Sequence, residues 1–372
     1  MSTQEIELSL TGHNSHKISI PLGQGSLSIG TIGMDTKKFD VLVEENLPIN
    51  WDTFSSDRPR FFYYYGNDQG FIKWTEKRKT EDFTWVPQED VSVDFTNSHI
   101  RNLSIHSNDK HVQIKLGKNT LRLYLSGTIQ YIDIQKIERN TSLIICPTVS
   151  GYENYTLPLL KNLKDITNLA ISMSPVGQAL DCESLVQFKA LKSLSLQGSL
   201  TNLHFLEKLE KLEKLALRYV PDLENLPALH TWKNLTSFIG WNIEETKGKV
   251  LRSELKKITK ERTLEHASVS QLKKAIWFTT EYGIPFSAWP DKEAKKAVKV
   301  YKATLKMLKK SKTEKEVKSL LTDFTKVFND FAQIETTERE DIGEAIHQLR
   351  QVPAIDIDEE LASKWFDEAR DY

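Results

Sequence analysis

Residues 191–219 have the sequence LKSLSLQGSLTNLHFLEKLEKLEKLALRY, and the spacing of their leucines decides how this part of the chain folds. Leu206, Leu209, Leu212 and Leu215 follow one another at intervals of three residues. Because an α-helix has about 3.6 residues per turn, a strict spacing of three spreads these side chains around the helix instead of gathering them on one face. After Leu215 the apolar residues alternate, as they do in a β-strand. The pattern predicts a tight turn that leads into a short strand.

The form L-x-x-L-x-L recurs along the chain. Its clearest copies are Leu191/Leu194/Leu196, Leu212/Leu215/Leu217, Ile166/Leu169/Ile171 and Ile100/Leu103/Ile105, and weaker copies lie at Leu123/Leu125, Leu143/Ile145 and Leu235/Phe238. The fourth position of each copy falls at residues 103, 123, 143, 169, 194, 215 and 238, so the steps are 20, 20, 26, 25, 21 and 23 residues. One such unit cannot bury its apolar side alone, and stacking on its neighbours is what stabilises it.

With these steps, residues 100–245 resemble a leucine-rich repeat array, in which repeats are about 20–29 residues long. The resemblance implies an α+β fold, a solenoid with a parallel β-sheet. We expect a β-rich N-terminal region at residues 1–99 that caps the array, and an all-α domain at residues 246–372. Adjacent strands would then place Leu169, Leu194 and Leu215 side by side, and the residues between the leucines would face outward on the concave side.

The candidate protein-binding residues are the aromatic, basic and larger polar side chains at these outward positions. They are His106, Arg122, Tyr124, Gln197, Arg218, Tyr219 and Trp241. For any single one, a contact role and an ordinary solvent-facing strand position are both open. The group Arg218, Tyr219 and Trp241 favours a contact surface, because exposed aromatic residues on neighbouring strands form a patch and such residues anchor protein interfaces.

The N-terminal region has its most distinctive sequence at residues 58–74, RPRFFYYYGNDQGFIKW. Five consecutive aromatic residues begin at Phe61, and alternation in a strand would send them to opposite faces. The GNDQG turn followed by apolar residues predicts an aromatic hairpin over residues 61–74. This hairpin is either a stacking platform for single-stranded nucleic acid or a core hairpin that covers the end of the array, and we favour the second.

Residues 106–134 allow two interpretations. Two apolar runs, residues 112–116 and 121–125, lie close enough to form a hairpin around Gly117-Lys118-Asn119. They also fit a short first repeat. The spacing alone does not decide between the two.

The C-terminal region changes to helical spacing. Ser268 or Ser270 is a candidate N-cap for a helix through about Tyr282, and Thr313 with Glu316 has the spacing of a capping box. Lysines are dense in a predicted helix and its tail at residues 292–312. This cluster is either a phosphate-binding surface or a solvated outer face, and we favour the outer face. A single Glu344–His347 pair is too little for a di-iron site.

Composition narrows the classes of function. The chain has 372 residues, a formal net charge of −1 and two cysteines, Cys146 and Cys182. It has no long apolar run and no basic-then-apolar start, so we expect a cytoplasmic protein without a membrane span or secretory signal. Local motifs for phosphate loops, serine nucleophiles or zinc proteases are missing. We therefore expect no enzyme, no cofactor and no metal site.

The expected function is binding of another protein through the concave face of the array. The three regions together are similar to cytoplasmic leucine-rich repeat proteins of bacteria, some of which accompany secreted toxins. The resemblance implies that the partner could be a toxin that the protein neutralises as an immunity protein. The alternative is a nucleic-acid-binding protein that uses the lysine-rich helix at 292–312 and the aromatic hairpin at 61–74.

Overall fold

The structure is a computed structural model with side chains. It describes residues 3–7, 17–21, 24–45, 47–54, 59–137, 140–148, 154–173, 178–274, 277–278, 286, 289–331 and 334–372. The chain divides into two compact units, residues 1–282 and 283–372. The first is built on a long parallel β-sheet and the second is helical.

The first unit contains a twelve-stranded sheet in which all neighbouring strands are parallel. A separate antiparallel pair, β1 Thr3–Glu7 and β2 Lys17–Pro21, precedes it. The strands of the twelve-stranded sheet are β3 Ser26–Thr31, β4 Val41–Val43, β5 Phe61–Tyr65, β6 Thr80–Val86, β8 Ile100–His106, β10 Arg122–Gly127, β12 Ser142–Pro147, β13 Asn168–Ser172, β15 Ser193–Gln197, β17 Lys214–Arg218, β18 Ser237–Trp241 and β19 His266–Ser270. The order is β4–β3–β5–β6–β8–β10–β12–β13–β15–β17–β18–β19, so sequence order is kept except at the first pair.

The predicted leucine row is confirmed. Leu169 pairs in register with Leu194, and Leu194 pairs with Leu215. The same row continues without a shift through residues 103, 123, 143 and 238, which are the other fourth positions of the repeat. All seven side chains are at most 3% exposed. Burying one leucine contributes about 1.5–3 kcal/mol, so each position of this row stabilises the stacking of neighbouring strands.

The turns between strands explain the spacing of three. Residues Leu203–Lys208 form a 3-10 helix, which repeats about every three residues. Leu203, Leu206, Leu209 and Leu212 are therefore all buried beneath the sheet as the chain runs into β17. The prediction of a tight turn followed by a strand is confirmed.

Residues 106–134 do not form a hairpin. The run Val112–Leu116, β9, pairs in parallel with β7 Val91–Phe95 and β11 Ile132–Lys136 in a second, three-stranded sheet. β10 pairs instead with β8 and β12 in the main sheet. The chain therefore alternates between two parallel sheets, and the interpretation as a repeat is the correct one here. Further along, β14 Leu180–Asp181 and β16 Leu200–Thr201 form another short parallel pair outside the main sheet.

The aromatic hairpin predicted for residues 61–74 is wrong. Residues 61–65 form β5, but Gly70–Lys77 form a helix, α1, and β5 pairs in parallel with β3 and β6. The Asp68 carboxylate accepts hydrogen bonds from the Gly70 N–H at 3.0 Å and from Trp51 Nε1 at 2.6 Å, which holds the start of this helix. Phe71 and Trp74 are buried on one face of it, a spacing that a helix places together and a strand does not.

The N-terminal region differs from the expected cap in a second way. Strands β3 to β6 belong to the same parallel sheet as the rest of the unit, so the sheet crosses the predicted boundary at residue 99 without interruption. The inward positions of β5 and β6 carry aromatic residues where later strands carry leucine: Phe62 pairs with Phe83, which pairs with Leu103. Stacked and edge-on ring contacts fill the wider space that these larger side chains need.

The first unit also extends further toward the C-terminus than the repeats suggest. Helix α2, Glu245–Glu261, lies within it. Its Arg252 Nε donates to the Val269 carbonyl at 2.8 Å, and Glu254 accepts from the Leu229 N–H at 2.8 Å. Residues 266–270, where Ser268 or Ser270 was predicted to cap a helix, form β19 instead. The boundary between the units follows residue 282, whereas the predicted helical domain begins at 246.

The second unit contains helices α3 Asp291–Leu308, α4 Glu314–Lys326, α5 Thr336–Arg350 and α6 Glu359–Ala369. Its core includes Tyr301, Phe324, Phe328 and Trp365. The capping box of Thr313 and Glu316 is confirmed at the start of α4. The lysines of α3 lie away from this core: its buried positions are Ala297, Tyr301, Thr304 and Leu308.

Candidate protein-binding face of the sheet

The side of the twelve-stranded sheet opposite the leucine row, here called the open face, carries the predicted binding residues of strands β15, β17 and β18. Gln197, Arg218 and Trp241 are the last residues of these strands and pair in register. Since neighbouring strands lie about 4.8 Å apart, their side chains form one continuous row. All three are half-buried, which leaves part of each side chain accessible.

Tyr219, which follows Arg218, has an unusual backbone conformation. Its φ of +52° lies in the left-handed region. Equivalent positions directly after β15, β18 and β19 also have positive φ, and they carry Gly198, Asn242 and Gln271. Glycine and asparagine adopt this conformation readily, whereas a bulky side chain there costs about 1–2 kcal/mol. Tyr219 therefore holds its aromatic ring at a backbone position that disfavours it.

The ring of Tyr219 belongs to an aromatic cluster. It contacts Trp241 edge-on, with 5.0 Å between ring centroids at 89°, and lies nearly parallel to Trp277 at 6.4 Å and 20°. Lys273 Nζ lies 4.6 Å from the centre of the Trp277 ring, a cation–π contact. Tyr219 is therefore the central ring of this cluster, in contact with both indole rings.

A cleft of about 500 Å³ opens on this part of the open face. Its lining includes Arg218, Ile239 and Trp241. It also includes Glu265, which directly precedes β19, and four residues of β19: His266, Ala267, Ser268 and Ser270. The cleft thus combines a guanidinium, an indole, an aliphatic side chain and hydroxyl groups. This is a composition typical of interface anchors.

Charges around the cleft are only partly balanced. Lys214 on β17 forms an ion pair with Glu265 at 3.1 Å, and Lys192 pairs with Glu213 at 2.5 Å at the start of neighbouring strands. Within the described ranges, no carboxylate lies within ion-pair distance of Arg218. Its positive charge is consequently available to a ligand.

The other three predicted residues lie elsewhere on the open face. Arg122 and Tyr124 are on β10 and His106 ends β8, so β10 is four strand steps, or about 19 Å, from β17. His106 Nδ1 lies 3.0 Å from Ser126 Oγ, and burial lowers the pKa of the imidazole despite the opposing effect of Asp109. Between the two groups the outward positions are mostly small, as with Ala170 and Ser195.

Sequence reasoning missed the contribution of β19 to the cleft. The strand HASVS has only one buried residue, Val269. Its Ala267 follows the register partner Phe238 by 29 residues, more than the 20–26 residues between the repeats, because α2 is inserted. It therefore lacks the leucine signal. Its alternation of Ala267 and Val269 with polar residues is the weak signal that could have identified it.

Two further observations concern metal-binding groups and thiols. The described residues contain no group of three or more histidine, cysteine or acidic side chains that could hold a metal ion. Burial raises the pKa of the Cys146 thiol, and raises that of Cys182 to about 12, so neither is an activated thiolate.

The chain matches no protein-family model, no curated protein and no solved structure. Among the described helices, none has the length and apolar character needed to cross a bilayer.

Proposed function

We propose that this protein is a non-enzymatic binding module that engages another protein through the open face, at the cleft formed by β17, β18 and β19. The observation that carries the proposal is Tyr219. Its strained backbone conformation, directly after Arg218, keeps an aromatic ring against Trp241, and both Trp241 and Arg218 line the cleft. Strain of this kind is retained where a side chain has a role that a glycine could not fill.

The rigidity of the strands that carry the cleft also supports a binding role. β17 and β18 are hydrogen-bonded on both sides, and the Tyr219 N–H donates to the Trp241 carbonyl at 3.1 Å, which continues the ladder past the strand end. Side chains on such a framework lose little conformational entropy on binding, and this lowers the cost of association. The regular steps of 20–26 residues and the unbroken register support an architecture of the leucine-rich repeat solenoid type, which suits extended protein contacts.

By analogy with cytoplasmic bacterial proteins of this kind, the proposed partner is a toxin that this protein blocks as an immunity protein. The analogy concerns architecture alone. An immunity role predicts a tight one-to-one complex and loss of toxicity when both proteins are co-expressed.

The alternative nucleic-acid-binding function had two supports, the aromatic hairpin and the lysine-rich helix, and the structure removes the first. The aromatic residues assigned to a stacking hairpin are largely packed in the core, as Phe62, Phe71 and Trp74 show. The exposed lysines of α3 remain, and binding of labelled single-stranded DNA at low salt tests them directly.

Affinity capture with the full chain as bait, followed by mass spectrometry, tests the proposal. Trp241→Ala and Arg218→Ala should each weaken capture of the specific partner at least tenfold and leave the melting temperature nearly unchanged. Tyr63→Ala is the matched control: Tyr63 is 45% exposed at an outward position of β5, eight strands from β18 on the same sheet. Partners retained equally by all three variants would contradict the assignment of the site.

A further inference from the structure

The charge distribution of the open face identifies the chemistry of the partner. The eight strands of the twelve-stranded sheet from β8 to β19 contain no aspartate or glutamate, although the whole chain has 51 acidic and 50 basic residues. At open-face positions the same strands carry Arg122, Lys214 and Arg218. The acidic residue Asp82 lies on the open face only at β6, next to β8 and far from the cleft.

Within the described lining of the cleft, Arg218 carries the positive charge that no acidic residue balances. Glu265 is the one acidic residue of the lining, and Lys214 neutralises it at 3.1 Å. The side chains of Lys214 and Glu265 are 50% and 57% exposed, so their ion pair contributes little to stability. The two opposite charges nevertheless neutralise each other. Arg218 then provides the net positive charge, and a planar guanidinium binds a carboxylate with two parallel hydrogen bonds.

The apolar part of the cleft lies directly beside this charge. Trp241 is the register partner of Arg218, and Ile239 is two residues before Trp241 on the same face. In an extended peptide, side chains on one face recur about every 6.8 Å, about 2 Å more than the spacing of about 4.8 Å between neighbouring strands. Because the side chains of Arg218 and Trp241 are long enough to cover this difference, a single short segment can place one side chain on Arg218 and another on Trp241.

We propose that the cleft receives an acidic, apolar peptide segment of the partner, with a carboxylate on Arg218 and a large apolar side chain, within two residues of it, against Trp241 and Ile239. This inference rests on the proposed protein-binding function and narrows it. Nucleic acid fits less well, because only a few uncompensated cations lie along eight strands, a span of about 34 Å. Single strands need a denser cationic track.

The test uses a phage-displayed random dodecapeptide library selected on the immobilised full chain. Enriched peptides should carry aspartate or glutamate within two residues of a large apolar residue. Synthetic versions should lose at least tenfold in affinity on Arg218→Glu and on Trp241→Ala, measured by fluorescence anisotropy. Lys189→Glu is the charge-matched control, since Lys189 is exposed in the turn before β15 and should not matter.

The outcomes separate the two proposals. Peptides that depend on Trp241 but show no excess of acidic residues would overturn the acidic-segment inference and leave the protein-binding function standing. Peptides that bind Trp241→Ala as well as wild type, or a failure to enrich any, would overturn both. If a labelled single-stranded DNA 20-mer bound the wild type and did not bind the Arg218→Glu variant, the cleft would be assigned to nucleic acid instead.

Discussion

The left-handed conformation of Tyr219 makes a prediction about stability that ordinary side-chain contacts would not. At a residue with negative φ, replacing alanine by glycine costs about 0.5–1 kcal/mol, because glycine loses more backbone entropy on folding. At Tyr219, with φ +52°, the Cβ of alanine carries a steric cost of about 1–2 kcal/mol that glycine avoids. Tyr219→Gly should therefore be more stable than Tyr219→Ala by about 1 kcal/mol.

The comparison is clean because both variants remove the same aromatic ring. Chemical denaturation followed by far-ultraviolet circular dichroism gives the difference between the two unfolding free energies. Ala216, three residues earlier in β17, supplies the control, because its backbone is that of an ordinary strand residue: Ala216→Gly should be destabilising by about 0.5–1 kcal/mol. If Tyr219→Gly proves less stable than Tyr219→Ala, the strain argument fails, and with it the main support for a functional role of this ring.

Three further predictions concern the core, the imidazole and the thiols. Leu194→Ala should lower the unfolding free energy by about 3–5 kcal/mol, since the Leu194 side chain is 1% exposed between two leucines of the same row. Ser195→Ala, on the open face, should change it by less than about 0.5 kcal/mol. Equal effects of the two substitutions would refute the assignment of the faces. Burial lowers the pKa of His106 below the ordinary histidine value of about 6.5, so the unfolded chain takes up the proton first. The wild type should therefore lose stability relative to His106→Gln as the pH falls below about 6.5, and parallel pH profiles would contradict this. Cys146 is exposed and Cys182 is buried, so a maleimide should label one thiol in the native protein and the second only after unfolding; rapid native labelling of Cys182 would show that its environment is different.

The leucine row could be predicted from the sequence because it repeats. Seven positions, from residue 103 to residue 238, carry large apolar side chains at similar steps, and all lie in one register. The spacing of three in Leu206, Leu209 and Leu212 also matched the 3-10 turn that it implied. A periodic signal of this kind is strong because each copy supports the others.

The N-terminal strands were harder to recognise because aromatic residues replace the leucines. Phe62 and Phe83 occupy the same row as Leu103, but the rings obscure the pattern L-x-x-L-x-L. The segment GFIKW illustrates a second difficulty. Phe71, Ile72 and Trp74 are as common in strands as in helices, and the choice of a helix depends on the Asp68 contacts and on burial against Trp51.

The candidate site was predicted in part. Arg218, Tyr219 and Trp241 are brought together, because consecutive strands of a parallel sheet place equivalent positions side by side. The far wall of the cleft was not predicted, since β19 comes after an inserted helix and carries small polar residues. The positive φ of Tyr219 is a property of the folded backbone and has no counterpart in residue spacing.

Hydroxyl-radical footprinting of the protein, alone and with its captured partner, tests the central claim most directly. This method labels accessible aromatic side chains. The account predicts that modification of Tyr219 and Trp241 falls when the complex forms, while Tyr63, at the other end of the same sheet, is labelled equally in both samples. Unchanged labelling of Tyr219 and Trp241 in a saturated complex would contradict it, because the partner would then be bound somewhere other than the open face.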